Sequence, residues 1–193
     1  MKGNSRRLSP GQVDTVLAAA STGAGWAFDA LYHHFAPSVV GYLRAQGAWD
    51  PEDLSSEVFL AVFKTIGCFE GDAAQLRTWL FSIAHRRVLD DRRRRSRRVV
   101  AILQDDSAQC EAASDTESEA IAILEAQRIA RLVGRLPDDQ RDVILMRLVG
   151  DLSVHETAEA LGKTEGAVKA LQRRGIQGLK NVLVEEISVE AVS

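Results

Sequence analysis

The sequence predicts an all-α protein of two small helical domains joined by a flexible linker, the second containing a helix-turn-helix. Three observations lead there. Apolar residues recur at helical spacing on both sides of residue 99. Between them, Val99–Ser118 (VVAILQDDSAQCEAASDTES) starts apolar and turns small and acidic, as a linker does. Ser153–Leu183 then reads as two helices around a glycine turn. The expected boundaries are 9–98, 99–118 and 119–186.

Taken in order, residues 1–8 form a loose tail and Ser9–Ala20 a short helix with Val13, Val16 and Leu17 inward. A glycine-bearing break at Ser21–Gly25 ends it. Trp26–Gln46 places Phe28, Leu31, Tyr32, Phe35, Val39 and Tyr42 at helical spacing, where aromatics serve as core. Pro37 predicts a kink or a new first turn. Asp50-Pro51-Glu52-Asp53 is a helix start, with Asp as N-cap, Pro at the first position and acids in the first turn. That helix turns Leu54, Val58, Ala61 and Val62 inward. Asp53 and Glu57 lie one turn apart and project together, which suits either a solvated face or docking onto a basic partner.

Gly67–Leu76 (GCFEGDAAQL) reads as a loop, and Thr78 as the start of a helix that is apolar first and basic last. Trp79, Leu80 and Ile83 pack inward. His85–Arg98 holds eight Arg against two Asp, so its cations need solvent or an anionic partner such as phosphate. The linker of twenty residues reaches at most about 65 Å when extended. Beyond it, Glu119–Val133 is amphipathic through Ile121, Leu124, Ile129 and Leu132. Leu136-Pro137-Asp138-Asp139 opens a helix bearing Val143, Ile144, Leu145 and Leu148, closed by Gly150.

Ser153 and Glu156 stand in capping-box spacing. Val154, Ala158 and Leu161 share one face, Gly162 suits a left-handed C-terminal position, and Thr164 caps the next helix. Val168, Leu171, Gly175 and Leu179 are that helix's inner stripe. Its outer face carries Lys163, Lys169, Gln172, Arg173, Arg174 and Lys180, with Glu165 as the one acid. Cations and an amide on one face suit phosphate contact and base reading in the major groove.

The composition bounds the rest. In 193 residues, a 46% hydrophobic content supports burial of cores, and a net charge of −3 argues against a general nucleic-acid coat. Charge is instead segregated, because Val99–Gln127 holds seven Asp or Glu and no Lys or Arg. Cys68 and Cys110 imply no disulfide framework. Neither a membrane-spanning run nor a signal-peptide core is present, so the expected location is cytoplasmic.

Four segments in this order, DPEDLSSEVFLAVF, TWLFSIAHRRVLDDRRRR, LPDDQRDVILMRL and SVHETAEALGKTEGAVKALQRR, resemble the extracytoplasmic-function group of bacterial sigma factors. The resemblance covers roughly 24–98 and 119–183. It implies a subunit that binds core RNA polymerase and directs promoter recognition and transcription initiation. Asp53, Leu54 and Glu57 would dock on the β′ clamp helices, and the second domain would meet the β flap. Phe69, Glu70, Gly71, Asp72, Arg77, Trp79, His85, Arg86, Arg87, Arg92 and Arg93 would open and read minus-10 DNA. Lys163, Thr164, Glu165, Lys169, Gln172, Arg173 and Arg174 would read the minus-35 duplex, and the linker would thread toward the polymerase cleft. An anti-sigma factor is a further partner such proteins commonly have, and the free form is expected to be a monomer.

Two departures bear on specificity. Family members often have Ala-Arg-Asn where this chain has Ala84-His85-Arg86, and Arg then Leu where it has Leu171-Gln172. The second puts Gln on the reading face. The chain ends soon after Leu183, and no extra carboxy-terminal regulatory domain is expected.

A dimeric helix-turn-helix regulator, binding a palindrome without polymerase, leaves the basic helix and the linker without a purpose. An enzyme has little support: His155-Glu156-Thr157-Ala158-Glu159 lacks the second His of a zinc-protease helix, and His33 and His34 are adjacent and so face apart. No catalytic residue, metal or cofactor is expected.

Overall fold

A computed structural model describes residues 8–102 and 129–190, and among these all regular structure is helical. In the first module, α1 (Pro10–Ser21) begins at Ser9, whose side chain forms a capping box with Gln12. The following turn passes through Gly23 at φ 85°, a left-handed conformation that glycine adopts without strain. In α2 (Gly25–Ala45), Leu31, Phe35, Val39 and Tyr42 are buried. The helix continues through Pro37 rather than restarting there. Asp50 Oδ1 accepts from Asp53 N at 2.8 Å and starts α3 (Pro51–Thr65), whose buried stripe is Leu54, Ser55, Val58, Phe59 and Val62.

The stretch expected to be a loop is mostly ordered. Ile66–Cys68 forms a 3₁₀ turn, and α4 (Ala73–Ile102) begins five residues before Thr78. Asp72 explains the early start: its Oδ1 accepts from Ala74 N at 3.0 Å and Gln75 N at 2.9 Å, while Gln75 Oε1 accepts from Asp72 N at 2.9 Å. A third first-turn amide, Ala73 N, donates to Asp14 of α1 at 2.7 Å. Helix α4 continues through residues 99–102, which were assigned to the linker; the linker from residue 103 and the amphipathic stretch up to residue 128 lie outside the described residues.

The second module contains α5 (described over 129–134), α6 (Asp138–Leu148), α7 (Val154–Leu161) and α8 (Glu165–Glu190). Helix α6 buries Asp142, Val143, Ile144, Leu145 and Met146. Leu148 was expected inside but is 73% exposed, because α6 packs against α2 as well as α7 and α8 and so buries the Asp142–Met146 side.

The modules are not separate bodies. Val133, Leu145, Met146 and Leu152 share one apolar core with residues of α1–α4, and α4 packs along α7. Each such fully buried aliphatic side chain contributes about 1.5–3 kcal/mol relative to exposure. A smaller core of Val143, Ala158, Val168 and Leu171 holds the last three helices together.

Candidate nucleic-acid interface

Local chemistry fixes the helix-turn-helix. Ser153 Oγ accepts from Glu156 N at 3.2 Å, and Glu156 Oε2 accepts from Ser153 N at 2.5 Å. Together these satisfy two amides at the start of α7. Gly162 takes φ 62° and ψ 35°, a left-handed pair disfavoured for residues with a Cβ, and reverses the chain. Thr164 Oγ1 then accepts from Ala167 N at 3.2 Å and caps α8. Val168 and Leu171 point inward against Val143 and Ala158. At Gly175 a Cβ would lie 2.8 Å from Ile144 Cγ1, so glycine lets α8 approach α6 closely.

This packing leaves the opposite side of α8 to solvent. Lys169, Arg173, Arg174 and Lys180 are exposed, and Gln172 is half-exposed among them. Glu165 accepts from Lys169 at 3.5 Å and pairs with His155 at 3.2 Å, and those bonds hold its carboxyl below the usual range. It therefore partly neutralises the first turn. Lys163 bonds Asp139 at 2.9 Å and Thr164 is occupied as a cap. Of the residues expected at the minus-35 duplex, Arg173 and Arg174 keep exposed charges beside the Gln172 amide, and Lys180 is exposed further along the same helix.

The second basic element, α4, divides by face. Trp79 is half-buried and stacks on Phe69 with ring centroids 5.0 Å apart. Glu70, Gly71 and Asp72 are exposed beside that stack. At Gly71 a Cβ would meet Phe69 and Gln75 at 2.9 and 2.7 Å, so the loop folds tightly against its own helix. Arg86 is exposed, Arg93 bonds Asp90 at 3.4 Å, and Arg87 bonds Glu57 at 3.4 Å.

The remaining residues expected at minus-10 DNA bond to other parts of the protein. His85 is 9% exposed and bonded to Tyr42. Arg92 donates to the Gln46 carbonyl at 2.9 Å and to the Gln46 side chain, while Arg95 donates to the Gly47 carbonyl at 2.9 Å. These carbonyls end α2, where cations are favourable. The expectation that the arginines need solvent or an external anion therefore fails for Arg92 and Arg95. Arg77 bonds Asp151 at 3.0 Å. Of the expected minus-10 residues, His85 is thus buried, while Arg92 and Arg77, the latter with its side chain 31% exposed, are engaged by other parts of the protein.

The acidic face of α3 shows Asp53 exposed and Glu57 half-exposed, but Leu54 is 7% exposed and supports the helix from within. Leu60, at 59% exposure, lies one turn beyond Glu57 on the same side and was missed by sequence reasoning. Its spacing of seven from Asp53 is the signal that could have found it. Among the described residues no His, Cys, Asp or Glu cluster could hold a metal, and no helix is long and apolar enough to cross a membrane.

Comparison with known proteins agrees with this geometry. Residues 31–98 match Sigma-70 region 2 and residues 126–177 match Sigma-70 region 4. ECF RNA polymerase sigma factor SigD of Mycobacterium tuberculosis is 30% identical over 179 residues, covering 90% of this chain and 84% of SigD. BldN of Streptomyces coelicolor is 31% identical over 173 residues, covering 89% of this chain but 66% of BldN's length. The solved structure of CnrH in complex with the cytosolic domain of CnrY shares the fold at a TM-score of 0.67 and 24% identity, covering 90% of this chain and 98% of CnrH. The chain is a DNA-binding initiation factor by class. It belongs to the ECF RNA polymerase sigma factors.

Proposed function

We propose that residues 9–98 bind core RNA polymerase and engage the minus-10 element, that 99–118 connect, and that 119–186 read the minus-35 duplex. The observation that carries this division is the pairing of two different nucleic-acid faces. One is a capped recognition helix with Gln172, Arg173 and Arg174 outward. The other is a basic helix that opens on the Phe69–Trp79 stack. Base readings by Lys169, Gln172 and Arg173 discriminate by about 1–3 kcal/mol each where bidentate. Lys169 enters such a contact only by leaving Glu165. Unstacking a base at the minus-10 element costs a few kcal/mol, and the 69–72 loop beside Trp79 is the place to receive it.

Asp53, Glu57 and Leu60 form the surface offered to the β′ clamp helices, and the second module meets the β flap. The chain works in the cytoplasm, joins polymerase as a monomer and leaves the bond-making to polymerase. An anti-sigma factor is the regulatory partner that family membership suggests. The test is retention of the full chain on immobilised core polymerase. Stoichiometric retention that is lost in the Asp53→Arg/Glu57→Arg double variant, with helical content unchanged, supports the docking face; equal retention of the variant rejects it.

A further inference from the structure

Side chains from two helices meet at the first turn of α8. Glu165 opens that helix. Its Oε1 stands 3.2 Å from His155 Nδ1 of α7, and its Oε2 stands 3.5 Å from Lys169 Nζ one turn on. These bonds, the one from His155 foremost, hold the carboxyl below its usual range, so it is ionised and can only accept. His155 Nδ1 is therefore the donating nitrogen. Helix electrostatics accounts for part of this arrangement. An acid in the first turn complements the helix dipole, and Glu165 with Lys169 is an ordinary i,i+4 pair. His155 is left over. It comes from the helix across the turn, and its side chain is 78% exposed, so packing does not call for the bond. Its effect is to fix a carboxylate that would otherwise swing freely.

Glu165, Lys169, Gln172 and Arg173 follow one another along the outer stripe of α8. In a helix-turn-helix the amino-terminal residues of the second helix reach base edges. Glu165 and Lys169 thus meet the groove as an acceptor beside a donor, 3.5 Å apart. One base-pair orientation complements that order. Cytosine offers its N4 amine and no acceptor in the major groove, and the guanine paired with it offers O6 and N7 as acceptors. Adenine carries an amine too, but its N7 lone pair lies alongside and repels a carboxylate; thymine and guanine offer only acceptors there. The exchange of partners also balances. Lys169 has to release Glu165 Oε2 to reach guanine, and the released oxygen then accepts from the cytosine amine, so neither charged group is left without a bond.

We propose that Glu165 and Lys169 together read one C·G pair of the minus-35 element, Glu165 accepting from cytosine N4 and Lys169 donating to the paired guanine, and that His155 is the positioning residue that holds the Glu165 carboxylate for that contact. This rests on α8 being the minus-35 reader. It adds the identity of one base pair and a residue of α7 that sequence reasoning did not assign to DNA.

The test is enrichment of promoter fragments, randomised across the minus-35 element, by the full chain joined to core polymerase, with sequencing of the bound pool. Wild type is compared with Glu165→Gln, His155→Ala, His155→Asn and the Glu165→Gln/His155→Ala double variant, all at exposed side chains. In wild type one position is expected to favour cytosine by about tenfold over the other bases. Glu165→Gln should change that position alone from C to A, because a carboxamide pairs with adenine N6 and N7. His155→Ala should lower the cytosine preference severalfold at the same position, leave the others as they were, and add nothing in the Glu165→Gln background. His155→Asn, which keeps a donor where Nδ1 stood, should restore the preference. If Glu165→Gln leaves every position unchanged, or shifts all of them alike, the C·G reading is overturned. An equal loss from His155→Ala with and without the Glu165 carboxylate overturns the positioning role. If wild type enriches no minus-35 element at all, the reading of α8 falls and this proposal with it; an element that is enriched but indifferent to Glu165→Gln removes the proposal alone.

Discussion

Replacing Gly175 with Ala separates two effects of opposite sign. In a helix interior the change from Gly to Ala gains about 1 kcal/mol of propensity. Here the new methyl would stand 2.8 Å from Ile144 Cγ1 and 3.2 Å from Cδ1. Ile144 is 2% exposed and cannot swing into solvent. Overpacking of this kind costs about 1–3 kcal/mol, so a net destabilisation of about 1 kcal/mol is expected, a fall in Tm of about 2–4 °C for a chain of this size. Gly166→Ala on the same helix is the control, because its Cβ would meet nothing within 4 Å. It should be neutral or stabilising. The assay is urea unfolding of each full-length variant followed by far-UV circular dichroism. The Gly175→Ala/Ile144→Ala double variant should be less destabilised than the sum of its parts. If Gly175→Ala stabilises as much as Gly166→Ala, the close approach of α8 to α6 is not what sets the recognition helix.

Three further outcomes are expected. Ser153→Ala removes one half of the α7 capping box and should lower stability by about 1 kcal/mol in the same unfolding assay; no change would show the cap to be idle. Asp14→Ala frees Ala73 N at the start of α4, and hydrogen exchange at that amide should quicken with little loss of global stability; unchanged exchange would remove Asp14 as the tether of the start of α4. The third concerns pH. Burial lowers the pKa of His85, Asp142 opposes the shift, and Arg92, Lys163 and Arg86 reinforce it, while Tyr42 stays a neutral phenol because burial raises its pKa. With the folded pKa below the unfolded value of about 6.5, the folded chain binds fewer protons than the unfolded chain. The contribution is therefore complete above about pH 6.5 and declines as pH falls through that value toward the folded pKa. Unfolding free energies measured from about pH 7.5 to about pH 5.5 should fall, and the fall should be shallower in His85→Gln; equal slopes would contradict the assignment.

Most of this architecture was legible because its signals are local. Asp50-Pro51, Ser153 with Glu156, and Gly162 fix helix ends within a few residues of themselves, and each end lies where expected. The inner stripe of α8 was equally plain, since Val168 and Leu171 sit one turn apart. The start of α4 was also written in the sequence, in Asp72 and Gln75, but the two glycines before it suggested a loop. Module packing had no local signal. Gln46 and Asp142 are 96 positions apart, and nothing in either neighbourhood announces the other. For the same reason a basic run suggested free cations, whereas Arg92 and Arg95 find the carbonyl end of α2. Leu148 lies outside and Met146 is buried because α6 is covered on more than one side, by α2 as well as α7 and α8.

The central claim is that this chain confers promoter recognition on core polymerase. Run-off transcription from a promoter-fragment library, with core polymerase alone and with the chain added, tests it most directly. Transcripts are expected only when the chain is present, starting downstream of a shared pair of elements, and lost in Asp53→Arg/Glu57→Arg. Tight binding of the chain alone to a palindromic duplex, with no transcript and no polymerase association, would contradict it.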